Sequence, residues 1–155
     1  MVYLTKGLEE TYELAKRFVE SKLPRNCKAK SGALVVGLCG ELGAGKTSFV
    51  QGVARAFGIK GHVTSPTFVL EKIYPIKKNN FSNGASQLVH IDVYRLSGAK
   101  EMAALGWDEI SANSQNIVFI EWPERVAEAL PKDMIKIYFE SVGADENKRR
   151  IKIVC

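Results

Sequence analysis

The sequence predicts an α/β fold whose central strands are mainly parallel, and three observations support this prediction. Residues 33–39 form an apolar run that is typical of a strand buried on both faces of a parallel sheet. Residues 40–47, GELGAGKT, form a glycine-rich turn, and residues 48–57 then repeat apolar side chains with the period of a helix face. Residues 116–122 form a second apolar run, which predicts a buried strand beside the first.

The glycine-rich turn fits the pattern G-x-x-x-x-G-K-[ST], which is typical of loops that bind the phosphates of nucleoside triphosphates. Glycines let successive backbone N–H groups point at phosphate oxygens, and the N-terminus of the next helix adds partial positive charge. In such a loop Lys46 reaches the β- and γ-phosphates, and the Thr47 hydroxyl is a magnesium ligand. The alternative is a strand-to-helix turn with a solvated lysine, which the strand before the motif and the helix after it disfavour.

The other elements follow from the period of the apolar residues and from turn residues. Thr5 is predicted to cap a helix that runs to about residue 23, before a basic loop at residues 24–32. The apolar stripe of this helix consists of Leu8, Tyr12, Ala15, Phe18 or Val19, and Leu23. Further elements are predicted as strands at 68–74 and 87–94 around a hairpin tip at 77–86, short helices at 97–105 and 123–130, a turn at 107–110, and a terminal hairpin of strands 134–141 and 150–155 around a turn at 143–147.

Composition indicates one globular domain over residues 1–155. The N-terminus lacks the apolar core of a signal peptide, and no apolar run is as long as a membrane span. Cys27, Cys39 and Cys155 are odd in number and scattered, which argues against a disulfide framework or a zinc site and predicts a reduced, cytosolic protein. The net charge of +5 is compatible with a polyanionic partner, but the basic clusters lack interleaved aromatic residues, so direct binding of a nucleic acid is not favoured.

Two carboxylates at predicted strand ends are candidates to complete the site. A magnesium-bound triphosphate needs an acid at the end of a neighbouring strand, to hold the metal directly or through water. Glu121 ends the strongest apolar run, where such an acid belongs, and Asp92 lies near the end of the strand at 87–94. Either acid could orient the attacking water while Lys46 stabilises charge. The alternative for each is a surface acid, and for Asp92 both interpretations stay open.

Several other polar and aromatic residues have a structural interpretation. The turn at residues 65–67 is either an ordinary proline turn or a switch segment that senses the γ-phosphate. His62 is predicted to be solvated and His90 to be structural within its strand. Trp107 and Trp122 are predicted to anchor packing.

Four segments occur in an order and spacing typical of one family: residues 40–47, then SPTF at 65–68, HIDVYRL at 90–96 and IEWPE at 120–124. They resemble the TsaE family, small bacterial P-loop ATPases needed to form threonylcarbamoyladenosine (t6A) at adenosine 37 of tRNAs that read ANN codons. The resemblance implies a compact P-loop α/β domain in the cytoplasm, with a mixed sheet flanked by helices and a C-terminal β-hairpin. The insertion at residues 77–86 departs from the family pattern and is expected to be a surface tip.

The resemblance also implies partners and residue roles. TsaB and TsaD would transfer the threonylcarbamoyl group, and ATP hydrolysis by this subunit, weak on its own, would reset their complex, with tRNA contacted through the partners and no membrane involved. A basic residue of the last hairpin would approach the nucleotide, Arg149 being preferred over Lys148 or Arg150. The residues expected to bind ATP are Glu41, Leu42, Gly43, Ala44, Gly45, Lys46, Thr47, Ser48 and Arg149. Those expected to hold Mg²⁺ are Thr47, Asp92 and Glu121, and those expected to be catalytic are Lys46, Asp92 and Glu121.

Two other functions are compatible with a phosphate-binding loop. A nucleotide-dependent protein-binding module would hold ATP without needing a second acid, so Asp92 and Glu121 argue against it. A small-molecule kinase would need an arginine-rich lid and an acceptor pocket, and neither is evident in the sequence. Guanine selectivity is disfavoured because the sequence has no N-K-x-D motif.

Overall fold

The computed structural model describes residues 1–20, 32–61, 63, 64, 66, 70–77, 85–143 and 145–154. In chain order they form β1 (Val2–Thr5), α1 (Leu8–Glu20), β2 (Leu34–Gly40), α2 (Lys46–Ala56), β3 (Glu71–Pro75), β4 (Gln87–Asp92), a first 3-10 helix (Ala99–Leu105), α3 (Trp107–Ala112), β5 (Asn116–Glu121), a second 3-10 helix (Pro123–Ala129), β6 (Ile135–Val142) and β7 (Asp145–Val154).

The seven strands form one sheet in the order β1-β7-β6-β2-β5-β4-β3. Strands β6, β2, β5 and β4 are mutually parallel, while β1, β7 and β3 add antiparallel pairings toward the two edges. The predicted α/β fold with a mixed sheet, a parallel centre and a terminal hairpin is therefore confirmed. Leu38 of β2 pairs with Glu121 of β5, and Glu121 pairs with Asp92 of β4. This register places both predicted acids at the carboxyl edge of the sheet, beside the loop that follows β2.

Helices cover the two faces of the central strands because side chains alternate between the faces along each strand. On one face, Val36 packs in a core with residues of α1 and α2, including Phe18 and Phe49. On the other face, Val35 packs in a second core with Trp107 of α3 and with residues of both 3-10 helices. The apolar positions predicted for the helix after the loop are all buried there: Phe49, Val50, Val53, Ala54 and Phe57.

The N-terminal part differs from the prediction. Thr5 does not cap a helix, because it ends β1, where it pairs with Arg149 of β7 and accepts a hydrogen bond from the Thr11 hydroxyl at 3.2 Å. The helix begins instead at Leu8, whose side chain is 51% exposed and lies outside the apolar stripe. A four-residue strand whose partner is far away in sequence leaves too little local pattern to be recognised.

Three other boundaries also changed. The turn expected at 107–110 is the helix α3, the strand expected at 68–74 is described as Glu71–Pro75, and β7 already begins at Asp145, within the expected turn at 143–147. Several expectations lie outside the described residues: most of the basic loop at 24–32, His62, most of the switch segment at 65–68 and the hairpin tip at 78–84. Among the described residues, no helix combines the length and apolar character needed to cross a membrane.

Candidate functional site

The predicted phosphate-binding loop connects β2 directly to α2, as the motif predicts. Gly45 precedes the helix with φ +101°, a left-handed conformation that a side chain would strain. At the start of the loop, a Cβ on Gly40 would lie 2.6 Å from the Phe139 carbonyl oxygen of β6, so only glycine fits against that strand. Glu41, Leu42 and Gly43 are exposed, which leaves the outer part of the loop open to a ligand.

Lys46 is the first residue of α2, and its side chain turns back into the loop. The residue is 4% exposed, and Nζ donates to the carbonyl oxygens of Gly40 at 2.6 Å and Glu41 at 2.8 Å. Nζ also lies 4.0 Å from the centre of the Trp122 ring, a cation–π contact. Burial lowers the pKa of Lys46, and the negative charges of Glu121 and Asp92 oppose this shift. The lysine therefore presents a largely desolvated positive charge next to the loop.

Glu121 is the centre of the acidic part of the site. It is 4% exposed, and its Oε1 accepts a hydrogen bond from the Thr47 hydroxyl at 2.8 Å. The same oxygen lies 2.9 Å from Nε2 of His90, which is fully buried on β4. Because an ionised carboxylate only accepts hydrogen bonds, Nε2 carries the proton that it donates to Glu121. Nδ1 of His90 has no hydrogen-bond partner among the described residues.

Asp92 lies next to Glu121 in register and is also 4% exposed. Its Oδ1 accepts a hydrogen bond from the backbone N–H of Tyr94 at 2.9 Å. The two predicted acids are therefore brought to adjacent positions on neighbouring parallel strands. Two buried carboxylates this close repel one another unless cations neutralise them, and Lys46 is one such cation.

Arg149 reaches the loop from β7. Its Nε donates to the Ala44 carbonyl oxygen at 3.1 Å, and Nη2 donates to the Gly43 carbonyl oxygen at 3.3 Å. The two neighbours considered as alternatives point elsewhere, since Lys148 pairs with Asp145 at 3.4 Å and Arg150 pairs with Glu140 at 3.4 Å. Of these three basic residues, Arg149 is the one that donates hydrogen bonds to the loop. Its role toward a nucleotide stays a prediction.

Two residues of the site carry contacts that sequence reasoning missed. His90, interpreted as structural, contacts the predicted magnesium ligand Glu121. Trp122, interpreted as a packing anchor, supports Lys46 and adopts φ +63°, an unusual conformation for a bulky side chain. Strain of this kind persists where surrounding contacts enforce it, and here the Trp122 N–H donates to the Leu38 carbonyl oxygen at 3.2 Å. The sequence signal that could have pointed to a role in the site is their position in the segments HIDVYRL and IEWPE.

The donor set of the site fits a magnesium–nucleotide complex. Mg²⁺ prefers oxygen ligands, keeps several waters, and takes one or two carboxylates together with phosphate oxygens. Thr47 and Glu121 already share a hydrogen bond at the start of α2, and Asp92 is adjacent. In the described part of the chain, no group of three or more His, Cys, Asp and Glu residues could hold a metal ion on its own. A metal at this position would thus depend on ligands from the nucleotide and water.

Comparison with known proteins shows which family the chain resembles. The family profile described as "Threonylcarbamoyl adenosine biosynthesis protein TsaE" matches residues 5–151. The chain is 38% identical to the tRNA threonylcarbamoyladenosine biosynthesis protein TsaE of Bacillus subtilis, over 93% of this chain and 80% of that protein. It is 36% identical to the protein of the same name from Rickettsia felis, over 94% of this chain and 75% of that protein. The crystal structure of YdiB from Bacillus subtilis matches with a TM-score of 0.70 and 31% identity, covering 99% of this chain and 83% of that chain. A profile match over most of the sequence and relatives of this identity along most of its length show that the chain belongs to the TsaE family.

Proposed function

We propose that this protein is a magnesium-dependent ATPase that acts in the cytoplasm as an accessory subunit for t6A formation in tRNA. Family membership supports the pathway, because the curated relatives are named for threonylcarbamoyladenosine biosynthesis. The observation that carries the catalytic part is the 2.8 Å hydrogen bond between Thr47 and Glu121, beside buried Lys46 and Asp92. This is the ligand arrangement that hydrolysis of a magnesium-bound triphosphate needs at the end of a phosphate-binding loop.

Each residue of the site has a distinct task in this proposal. The loop N–H groups and Lys46 bind phosphate oxygens, and the burial of Lys46 strengthens its attraction for developing negative charge. Thr47 and Glu121 would hold the magnesium ion. The bound ion would neutralise the β- and γ-phosphate oxygens. Asp92, buried beside Glu121, orients the attacking water or accepts its proton.

Arg149 has a supporting task. By donating to the carbonyl oxygens of Gly43 and Ala44, it holds two peptide groups of the loop in place. Its guanidinium also adds positive charge next to the phosphate-binding segment, which favours a triphosphate over a neutral ligand. Arg149, which is about 100 residues away from the loop in the sequence, thereby holds the loop in one conformation before a ligand binds.

We further propose that TsaB and TsaD are the partners, and that ATP hydrolysis resets their complex between turnovers without supplying the transferred group. tRNA would then be contacted through these partners. The alternative is a binding module in which ATP only holds a partner. Such a module gains nothing from a second buried carboxylate, and burying one costs free energy, so Asp92 at 4% exposure favours hydrolysis.

The decisive experiment is magnesium-dependent ATP turnover by wild type, Asp92→Asn and Glu121→Gln, each with and without the purified TsaB–TsaD pair. Wild type should be slow alone and faster with the pair. Both variants should lose roughly a hundredfold or more in turnover, because each loses a group that acts on the water or the metal. Asp133→Asn, which neutralises an exposed acid away from the loop, is the matched control. Wild-type rates in both site variants, together with no effect of the pair, would support the binding module instead.

A further inference from the structure

Among the described residues, the two hydrophobic cores leave part of the sheet without a covering layer. Helix α3 and the two 3-10 helices pack on β2, β5 and β4, but the described residues place no helix over the same face of β6, β7 and β1. The side chains on this face are Lys136, Tyr138 and Glu140 of β6, Arg150, Lys152 and Val154 of β7, and Val2 and Leu4 of β1. We call these eight residues the open face.

The open face concentrates exposed apolar side chains. Val2 is 59% exposed, Leu4 66%, Tyr138 37% and Val154 39%. The pairing of β1 and β6 with β7 brings these side chains into neighbouring rows, although Val2 and Leu4 are more than 130 residues away from Tyr138 and Val154 in the sequence. Single exposed apolar residues need no explanation, but several of them on one face of a sheet are typical of a surface that another molecule covers.

The same face carries a positive charge. It contains three basic side chains, Lys136, Arg150 and Lys152, and one carboxylate, Glu140. An Oε2 atom of Glu140 lies 3.4 Å from Nη1 of Arg150. Lys152 occupies the middle row, paired with Tyr138 on one side and Val2 on the other. The surface therefore combines apolar contacts with cations that would pair with carboxylates of a partner.

A cavity joins the open face to the phosphate-binding loop. It has a volume of about 600 Å³, and its lining includes Tyr138 and Glu140 of the open face, Trp122, and Gly40 and Glu41 of the loop. Trp122 is also the residue that supports Lys46 at 4.0 Å. A molecule seated on the open face thus lies next to groups that hold the lysine of the loop.

We propose that the open face docks a protein partner whose contact surface has carboxylates at its centre, opposite Arg150 and Lys152, and apolar side chains on both sides. RNA fits less well, because the face offers one aromatic residue for stacking and the adjoining cavity is lined by the acidic residues Glu41, Glu124 and Glu140. A second copy of the chain also fits less well, because a two-fold axis through the face would bring the same cations together. The inference rests on the proposed function in one respect, since the partner pair TsaB–TsaD serves as the probe.

The test measures the affinity of the purified TsaB–TsaD pair for Leu4→Ser and Lys152→Glu. Both residues are exposed, and neither contacts the loop. Ile73→Ser is the matched control for the apolar change, since Ile73 is 50% exposed on β3 at the opposite edge of the sheet. Lys16→Glu, on the exposed side of α1, is the control for the charge reversal. Melting curves establish that each variant is folded.

We expect the two open-face variants to bind the pair about tenfold more weakly or worse, with unchanged nucleotide affinity and unchanged turnover without the pair. The two controls should bind like wild type. If wild type binds the pair and the open-face variants bind it equally well, the docking inference is overturned and the proposed function stands. If wild type does not bind the pair at all, both fall.

Two parallel measurements identify the other occupants. Loss of binding to a labelled single-stranded RNA in Lys152→Glu, with the affinity for the pair intact, would assign the face to RNA and overturn the inference. Sedimentation that shows a wild-type dimer dissociated by Leu4→Ser, again with the affinity for the pair intact, would assign the face to a second copy and overturn it equally.

Discussion

Replacing His90 by leucine separates a role in the site from a role in packing. The substitution removes the 2.9 Å hydrogen bond to Glu121, and a hydrogen bond to a charged group contributes about 1.5–3 kcal/mol. It also removes Nδ1, a buried nitrogen without a partner among the described residues, whose burial costs about 1–3 kcal/mol. The two terms have opposite signs, so the free energy of unfolding should change by less than about 2 kcal/mol in either direction.

The effect on the site has no such compensation. In His90→Leu the Glu121 carboxylate keeps the Thr47 hydroxyl but loses the group that fixes its orientation. We expect the affinity for ATP in the presence of Mg²⁺ to fall about tenfold, which corresponds to about 1.4 kcal/mol, while affinity without Mg²⁺ stays the same. Titration of a fluorescent ATP analogue with and without Mg²⁺ measures both quantities.

A conservative variant makes the test specific. His90→Gln retains an N–H donor in the same region and should recover most of the Mg²⁺-dependent affinity. The reasoning is refuted if His90→Leu binds the magnesium complex like wild type and only its melting temperature falls. In that case His90 serves packing alone.

Three further outcomes are expected. Arg149→Gln should weaken ATP binding several-fold by releasing the Ala44 carbonyl oxygen, whereas Arg150→Gln should not; equal nucleotide affinities in the two variants would contradict the contacts described. Burial raises the pKa of Glu71 above its ordinary 4.5, so the folded state binds the carboxyl proton more tightly than the unfolded state does. The free energy of unfolding therefore falls as the pH rises from 4.5 through the raised pKa of the folded state, and it stays lower at higher pH. Urea denaturation at acidic and neutral pH should therefore show Glu71→Gln gaining stability relative to wild type at neutral pH, and no such gain would disprove the assignment. Burial, with a smaller contribution from a nearby carboxylate, raises the pKa of Cys39 to about 11, so alkylation near neutral pH, followed by mass spectrometry of its peptide, should be more than about tenfold slower than that of a free thiol.

The sequence predicts the central part of this site because its signals are local. A buried strand, a glycine-rich loop and a helix follow one another without interruption, so the place of Lys46 and Thr47 follows from residues 33–57 alone. Glu121 could be placed at a strand end because a continuous apolar run, which indicates a parallel strand, precedes it, whereas for Asp92 the strand at 87–94 left both interpretations open. Parallel strands bring their carboxyl ends to one edge of the sheet.

What the sequence does not predict depends on pairing between distant strands. The contact of His90 with Glu121 requires the register of β4 on β5, which no local pattern specifies. β1 was missed because four residues gain their strand conformation from β7. The open face has the same origin, since its apolar and basic residues lie on three strands and become neighbours only through pairing.

Because strand β7 is synthesised late, its position also affects when the predicted nucleotide site can form. This strand lies between β6 and β1 in the sheet and delivers Arg149 to the loop, yet it is the last of the seven described strands to leave the ribosome. A ribosome adds about 5–20 residues per second, so the interval between the synthesis of β1 and that of its pairing strand β7 is on the order of ten seconds. Throughout that interval the nascent chain carries its GELGAGKT loop without the arginine that holds two of its carbonyl groups. We therefore expect the nucleotide site to mature only once synthesis has passed β7, so ribosome-bound chains should not yet bind ATP with full affinity.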